Sequence, residues 1–337
     1  EGTAVKSHFV HGGSIAWRDI SRQVERGPQG GLKEPLGDGQ RRRRKVYRST
    51  MKTRGYSVPL AGVAVAVIWG LTFLSTKVAV VSLSPMMLAL LRFVVATIFM
   101  PPIAWLSHVP LKVRPRDIPL LAASGFIGIT LYFFFENNGI LRLSASESSI
   151  IIGTIPVLTL MVDMIFYRRR LSKPVVAGIL LSFLGVALIV ARSEAAKASP
   201  GGYLYMIGAA ATWVIYTFMT KPLGGRYPLL AITFWQIFFG MLGCIPFAAA
   251  EGMRLGPITA SLVLNVLFLG VLASALGYWL YVIVLDRLGA SRSSVFINLI
   301  PVVSIVAAFF ILGERLAPLQ LAGGAVAIAG VYLATSR

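Results

Sequence analysis

Residues Ser146-Glu-Ser-Ser-Ile-Ile-Ile-Gly-Thr-Ile-Pro156 return as Ser291-Arg-Ser-Ser-Val-Phe-Ile-Asn-Leu-Ile-Pro301, at an offset of 301 minus 156, or 145. The register then holds. Arg170-Leu171 falls on Arg315-Leu316, Gly178 on Gly323, and Gly185-Val186 on Gly330-Val331. Upstream, at an offset of 144, Trp69 falls on Trp213 and Lys77 on Lys221, so a Trp followed eight residues later by Lys marks the start of each copy. The chain is therefore two copies of one structural unit.

The solvent of that unit is lipid. Of the 337 residues, 56% are hydrophobic and only 13% charged, with a mean hydropathy of +0.76; soluble domains carry about 25% charge. The apolar residues fall in blocks of roughly twenty, enough to cross about 30 Å of hydrocarbon as helix, and they do not alternate as barrel strands do. The pattern predicts an all-α integral membrane protein with ten transmembrane helices. These are Pro59–Val81, Pro85–Leu106, Ile118–Leu141, Ser149–Tyr167, Pro174–Ala191, Tyr203–Thr220, Leu229–Ala250, Ser261–Leu285, Ser294–Leu312 and Leu316–Ala334. Short connections carry breakers such as Ser84-Pro85 and Gly256-Pro257. The expected organisation is a basic extension over 1–57, a first repeat over 58–192 and a second over 202–335. Five crossings is an odd number, so the second repeat enters the membrane upside down.

A formal charge of +19 invites a nucleic-acid reading, but its distribution argues against one. Residues 1–57 hold thirteen of the basic residues, including Arg41, Arg42, Arg43, Arg44 and Lys45. That run could touch RNA or anionic lipid; the plainer reading is a solvated juxtamembrane tail. The extension has the composition of a disordered segment and no signal-peptide core, and Met51, just before the first apolar block, is the expected natural start. From Met51 onward, fourteen Lys and Arg fall on one side of the predicted spans and five on the other, which places both termini in the cytoplasm.

Cys244 is the one cysteine, and His8, His11 and His108 lie outside the apolar blocks without ligand spacing. No metal site, catalytic site or cofactor is expected. An enzyme would need acid and base groups at one depth, whereas Glu136 and Asp163 fall near opposite faces.

Several short stretches, in their order and spacing, resemble those of EamA-type drug/metabolite transporters. They are Trp69-Gly-Leu-Thr-Phe73 with Lys77, Ser84-Pro85, Arg92-Phe93, Phe135-Glu136-Asn137, Leu143-Ser-Ala-Ser146, Ile155-Pro156, Leu288-Gly-Ala-Ser291, Ile300-Pro301 and Gly313-Glu314-Arg315-Leu316. The resemblance spans Met51 to the end. It implies two inverted five-helix repeats in a bacterial inner membrane that move amino acids, other metabolites or toxic compounds, commonly outward. The first repeat departs from the family pattern by carrying Arg169 where a Glu often precedes Arg-Leu.

A charge at the bilayer centre costs about 2.5–3.5 kcal/mol or more, so each intramembrane charge needs a reason. Lys77, Arg92 and Glu136 share the outer leaflet and are expected to form a charge cluster in which Glu136 pairs with Lys77 or Arg92. A static ion pair and a proton- or substrate-responsive carboxylate flanked by Asn137 and Asn138 both stay open. Lys221 is expected to snorkel to the inner surface, and Asp163 to reach the cytoplasmic arginines.

Pro156 and Pro301 each remove a backbone hydrogen bond at equivalent positions, which points to a midplane site or to packing kinks. Thr154 and Asn298 beside them, with Trp69, Trp213, Tyr216 and Tyr278, complete the expected substrate cavity. The glycine pairs Gly178/Gly185 and Gly323/Gly330 read as close-packing seams. The expected function is alternating-access transport of a small molecule, driven by protons or facilitative because no nucleotide-binding loop is present. A non-transporting sensor or scaffold is the alternative, and assembly into a homodimer stays open.

Overall fold

A computed structural model of the chain describes residues 57–167, 172–191, 200–281, 283–284, 296 and 299–335. Among these residues every regular element is a helix. The first half contains α1 (Ser57–Ala79), α2 (Pro85–Leu106), α3 (Pro115–Arg142), α4 (Ala145–Ile152 and Ile155–Tyr167) and α5 (Lys173–Ala191). The second contains α6 (Gly201–Thr220), α7 (Leu229–Ala250), α8 (Ala260–Tyr281), α9 (Ile300–Leu312) and α10 (Pro318–Thr335). Seven of them, α1 to α4 and α6 to α8, are long and apolar enough to cross a membrane; α5, α9 and α10 contribute apolar stretches over Lys173–Ile189, Ile300–Leu312 and Pro318–Leu333.

Helix starts follow local chemistry. Ser84 stands at the N-cap position of α2 in an extended conformation, without a side-chain capping bond, and Pro85 follows at the first helical position, where its missing N–H is no loss. Glu251, from the α7–α8 connection, accepts a 2.7 Å hydrogen bond from the Met86 N–H of the same first turn. Ser144 and Glu147 form a reciprocal capping box at the start of α4. This S-x-x-E signature starts the helix at Ala145, four residues before the predicted Ser149. Gly313 ends α9 in the left-handed conformation at φ +67°.

Three π-helical interruptions were invisible to hydropathy, one of them over Ala308–Leu312 at the end of α9. α3 widens into π-helical turns over Phe126–Leu131, and α8 does so over Phe268–Leu276. Both segments end at equivalent positions, since 276 minus 131 is 145. α4 is broken at Gly153-Thr154, just before Pro156, which has no N–H to offer the Ile152 carbonyl.

The packing repeats when the halves are exchanged. α1 lies against α8 and α9 as α6 lies against α3 and α4; α2 meets α8 as α7 meets α3; and α2–α7, α4–α9 and α5–α10 are each a helix with its own counterpart. A pseudo-two-fold relation generates such a set.

The α5–α10 contact is backbone on backbone. A Cβ on Gly185 would stand 2.3 Å from the Ala327 nitrogen, and one on Gly330 would stand 2.3 Å from the Ser182 nitrogen. The glycines read as seams therefore seal these two helices together. Large apolar side chains, among them Leu60, Ile98, Trp105, Leu180 and Phe310, remain more than half exposed on the outside. Polar side chains such as Arg92, Glu136, Asn137 and Gln236 lie inside. That inversion of a soluble protein's surface is the signature of a multi-pass membrane protein.

Candidate functional site

Two of the buried charges, Arg92 and Glu136, converge on one cavity between the halves. Its volume is about 50 Å³, and its walls are Trp69, Thr72 and Phe73 of α1, Arg92 of α2, Tyr132, Phe133 and Glu136 of α3, and Ile152 and Ile155 flanking the α4 break. Trp213 of α6, Tyr278 of α8 and Ile300 of α9 complete it from the second half. This space has room for a few water molecules and is smaller than an amino acid.

Glu136, 5% exposed, accepts a 2.7 Å hydrogen bond on Oε1 from the Tyr132 hydroxyl one turn earlier. Arg92, 4% exposed, donates from Nε to Ser274 Oγ at 2.7 Å, and its guanidinium carbon sits 4.4 Å from the centre of the Phe133 ring. Among the described residues the terminal nitrogens of Arg92 make no hydrogen bond to protein, and no Arg92–Glu136 contact reaches ion-pair distance. The two opposite charges face the same space without closing on each other. Both line the cavity with polar atoms left over for a further partner.

Position 236, equivalent to Arg92 in the second half, is built differently. Gln236 Nε2 donates to Ser124 Oγ at 2.9 Å and Thr220 Oγ1 at 2.8 Å, while its Oε1 accepts from the Tyr216 hydroxyl at 3.0 Å. Protein alone occupies that amide. At this pair of equivalent positions the open charge is in the first half.

The aromatic wall is made by symmetry mates. Trp69 and Trp213 meet edge to face, and Tyr278 packs against both, with centroids 5.4 Å and 6.3 Å away. Trp69 Nε1 donates to the Ala273 carbonyl at 3.0 Å, inside the π-helical turns of α8.

Of the residues expected to line the cavity, Trp69, Glu136, Trp213 and Tyr278 do so. Asn137 and Asn138 do not. Successive helical residues turn by about 100°, so the face that brings Glu136 inward carries its neighbours away. Asn137 donates instead to the Pro85 carbonyl at 2.8 Å, and Asn138 to the Phe134 carbonyl at 2.9 Å. Tyr216 stands behind Trp213, 5.5 Å between ring centres, bound to Gln236. Thr154 and Pro301 line a separate cleft of about 10 Å³ with Gly153 and residues of α10. Pro156 is buried beside the α4 break, and Asn298 lies outside the described residues.

Lys77 leaves the expected charge cluster altogether. Its ammonium donates to the carbonyls of Ile140, Leu141 and Leu143 at 2.8, 3.3 and 2.6 Å, capping the C-terminal end of α3 where a cation meets the negative pole of the helix. The pairing partner open to Glu136 is therefore Arg92 alone, at a distance longer than an ion pair. The side chains of Asp163 and Lys221 lie outside the described residues.

Sequence reading also missed a polar clasp across the halves. Glu314, in the α9–α10 connection, accepts from the Ala145 N–H at 2.9 Å, the Ser146 N–H at 3.2 Å and Ser146 Oγ at 2.8 Å at the start of α4. Tyr203 and Gln320 of the second half both donate to Glu147 Oε1 at 3.0 Å. The Ser144-x-x-Glu147 spacing was the available signal for half of it; Glu314 gave none, because its partner is 169 residues away.

The EamA-like transporter family matches the chain twice, over residues 57–191 and 200–336. An uncharacterized transporter of Archaeoglobus fulgidus is 31% identical over 80% of this chain and 95% of its own length. A protein of Streptantibioticus cattleyicolor described as a probable terminal-alkyne amino-acid exporter is 30% identical over 82% of this chain and 92% of its own. A crystal structure at 18% identity shares the fold with a TM-score of 0.61, covering 83% of this chain and 97% of that one. Two family matches, relatives of nearly full length and a cavity holding two buried charges inside an apolar helical shell lead to one assignment: the chain belongs to the EamA-like transporter family and is a membrane transporter, not an enzyme.

Proposed function

We propose that the chain is an alternating-access exporter of small zwitterionic solutes of the amino-acid type. It would work in the cytoplasmic membrane, with ten crossings in two inverted five-helix repeats and both termini inside. The observation that carries this reading is the pair of buried, opposite, unjoined charges on one cavity, Arg92 and Glu136. A guanidinium with free terminal N–H groups suits a carboxylate, a carboxylate with one uncommitted oxygen suits an ammonium, and the Trp69–Trp213–Tyr278 wall suits an apolar side chain. Glu136 is also the group that would carry a proton in exchange, since protonation neutralises the ammonium's partner and releases the solute.

Export follows the description of the Streptantibioticus relative as an exporter. The membrane orientation rests on the Lys and Arg count on the two sides of the spans. Domain boundaries at 58–192 and 202–335 agree with the register of the internal repeat. The test is flux in proteoliposomes for a panel of apolar amino acids, with and without an imposed pH gradient. Counterflow of at least one amino acid, abolished in R92Q and in E136Q, is the expected result. No flux for any member of the panel in well-folded protein overturns the reading.

A further inference from the structure

Arg92 has five N–H donors, and only the one on Nε is engaged by protein among the described residues. The acceptor is Ser274 Oγ, fully buried on α8 of the opposite half. This bond occupies the side edge of the guanidinium and leaves the end edge, carrying both terminal nitrogens, for a second partner. The planar group is held on one face by Phe133, 4.4 Å from its carbon. With one edge bonded and one face covered, the fork has a fixed direction, and two parallel N–H donors at fixed spacing match a carboxylate.

The seat for that hydroxyl is built by the whole α8 segment. Gly270 lets α8 approach α2 so closely that a Cβ there would stand 2.5 Å from Val95 Cγ1 and 2.9 Å from the Arg92 carbonyl oxygen. Trp69 grips the same segment from α1 through the carbonyl of Ala273, the residue just before Ser274. The π-helical turns over Phe268–Leu276 set this stretch apart from the α-helix on either side.

We propose that Ser274 is a positioning residue that determines specificity: by holding Arg92 Nε it aims the guanidinium fork into the cavity and makes the transporter select solutes bearing a carboxylate. The bond crosses between the halves, so the carboxylate site is assembled only while α8 of the second half is seated on α2 of the first. Loss of that seating frees the guanidinium to turn, and selection is lost with it. The proposal rests on the reading of Arg92 as the carboxylate site.

The experiment compares L-leucine and L-phenylalanine with their carboxamides, in thermal-shift titration and counterflow, for wild type, S274A and S274T. Wild type is expected to prefer the acids by at least about tenfold, which corresponds to one charge-assisted hydrogen bond. S274A is expected to reduce that preference by about tenfold with carboxamide affinity unchanged, and S274T, which keeps the hydroxyl, to retain it. Unchanged carboxamide binding in S274A also reports a folded cavity. Retained preference in S274A, or equal weakening of acid and carboxamide, overturns the role of Ser274 while leaving Arg92 as the carboxylate site. No preference for the acids in wild type overturns both assignments.

Discussion

Trp69 and Trp213 occupy equivalent positions in the two repeats, and their rings meet edge to face at 6.3 Å with an interplanar angle of 84°. Equivalence ends at the indole nitrogen. Trp69 Nε1 donates to the Ala273 carbonyl, whereas Trp213 Nε1 has no hydrogen bond among the described residues. Replacing each by Phe keeps an aromatic edge but removes the donor. W69F is therefore expected to lose about 1 kcal/mol of stability and W213F less, as read from thermal midpoints in detergent.

The charges on the cavity wall permit a cycle that separates an ion pair from two ligand-facing groups. If Arg92 and Glu136 stabilised each other directly, neutralising both would rescue what either single change loses. The geometry leads to the opposite outcome: R92Q, E136Q and the double variant all lose transport, and the stability cycle gives a small coupling term. Restored flux in the double variant would contradict the arrangement described here.

The α5–α10 seam has no room for a methyl group. A Cβ on Gly185 would stand 2.5 Å from the Gly323 oxygen as well as 2.3 Å from the Ala327 nitrogen, and both are backbone atoms that no rotamer change can move. G185A is expected to cost about 1–3 kcal/mol or to abolish folded yield, and G185L to abolish it. Gly201 has nothing within 4 Å of its Cβ position, so G201A serves as the silent control in size-exclusion and melting assays.

Glu314 reaches from the α9–α10 connection to the buried start of α4, where it accepts from the Ala145 and Ser146 N–H groups. E314A leaves the Ala145 and Ser146 N–H groups without their acceptor, at about 1–3 kcal/mol for a group that stays shielded from water. A lowered melting point is expected, with E314Q intermediate because its amide oxygen still accepts. R315A, altered at the exposed neighbour, should melt like wild type.

Cys244 is fully buried in α7. A membrane-permeant maleimide is expected to leave it unmodified in native protein and to label it stoichiometrically after denaturation in SDS. Labelling under native conditions would place α7 differently.

Much of this architecture is written locally and could be read without coordinates. Twenty-residue apolar blocks must become helices because lipid offers the backbone no partner. The repeat at offsets 144 and 145 paired Trp69 with Trp213, and α2, α4 and α5 with α7, α9 and α10, before any contact was known. Spacing of seven put Gly178 and Gly185, like Gly323 and Gly330, on one face. Arg92, Glu136 and the aromatic positions stood out because a charge or a large polar ring inside an apolar block requires company.

What tertiary structure alone decided is the direction and the partner of each of those groups. Hydropathy reports depth, not azimuth, so Lys77 at the depth of Glu136 was free to turn to the end of α3, and Asn137 and Asn138 turned away once Glu136 faced inward. The clasp of Glu314 on α4 and the bond from Arg92 to Ser274 join residues 168 to 182 positions apart. Such contacts exist only after two helices are packed, because the energy that selects them comes from shielding a polar group from lipid with a partner that the neighbouring sequence does not contain.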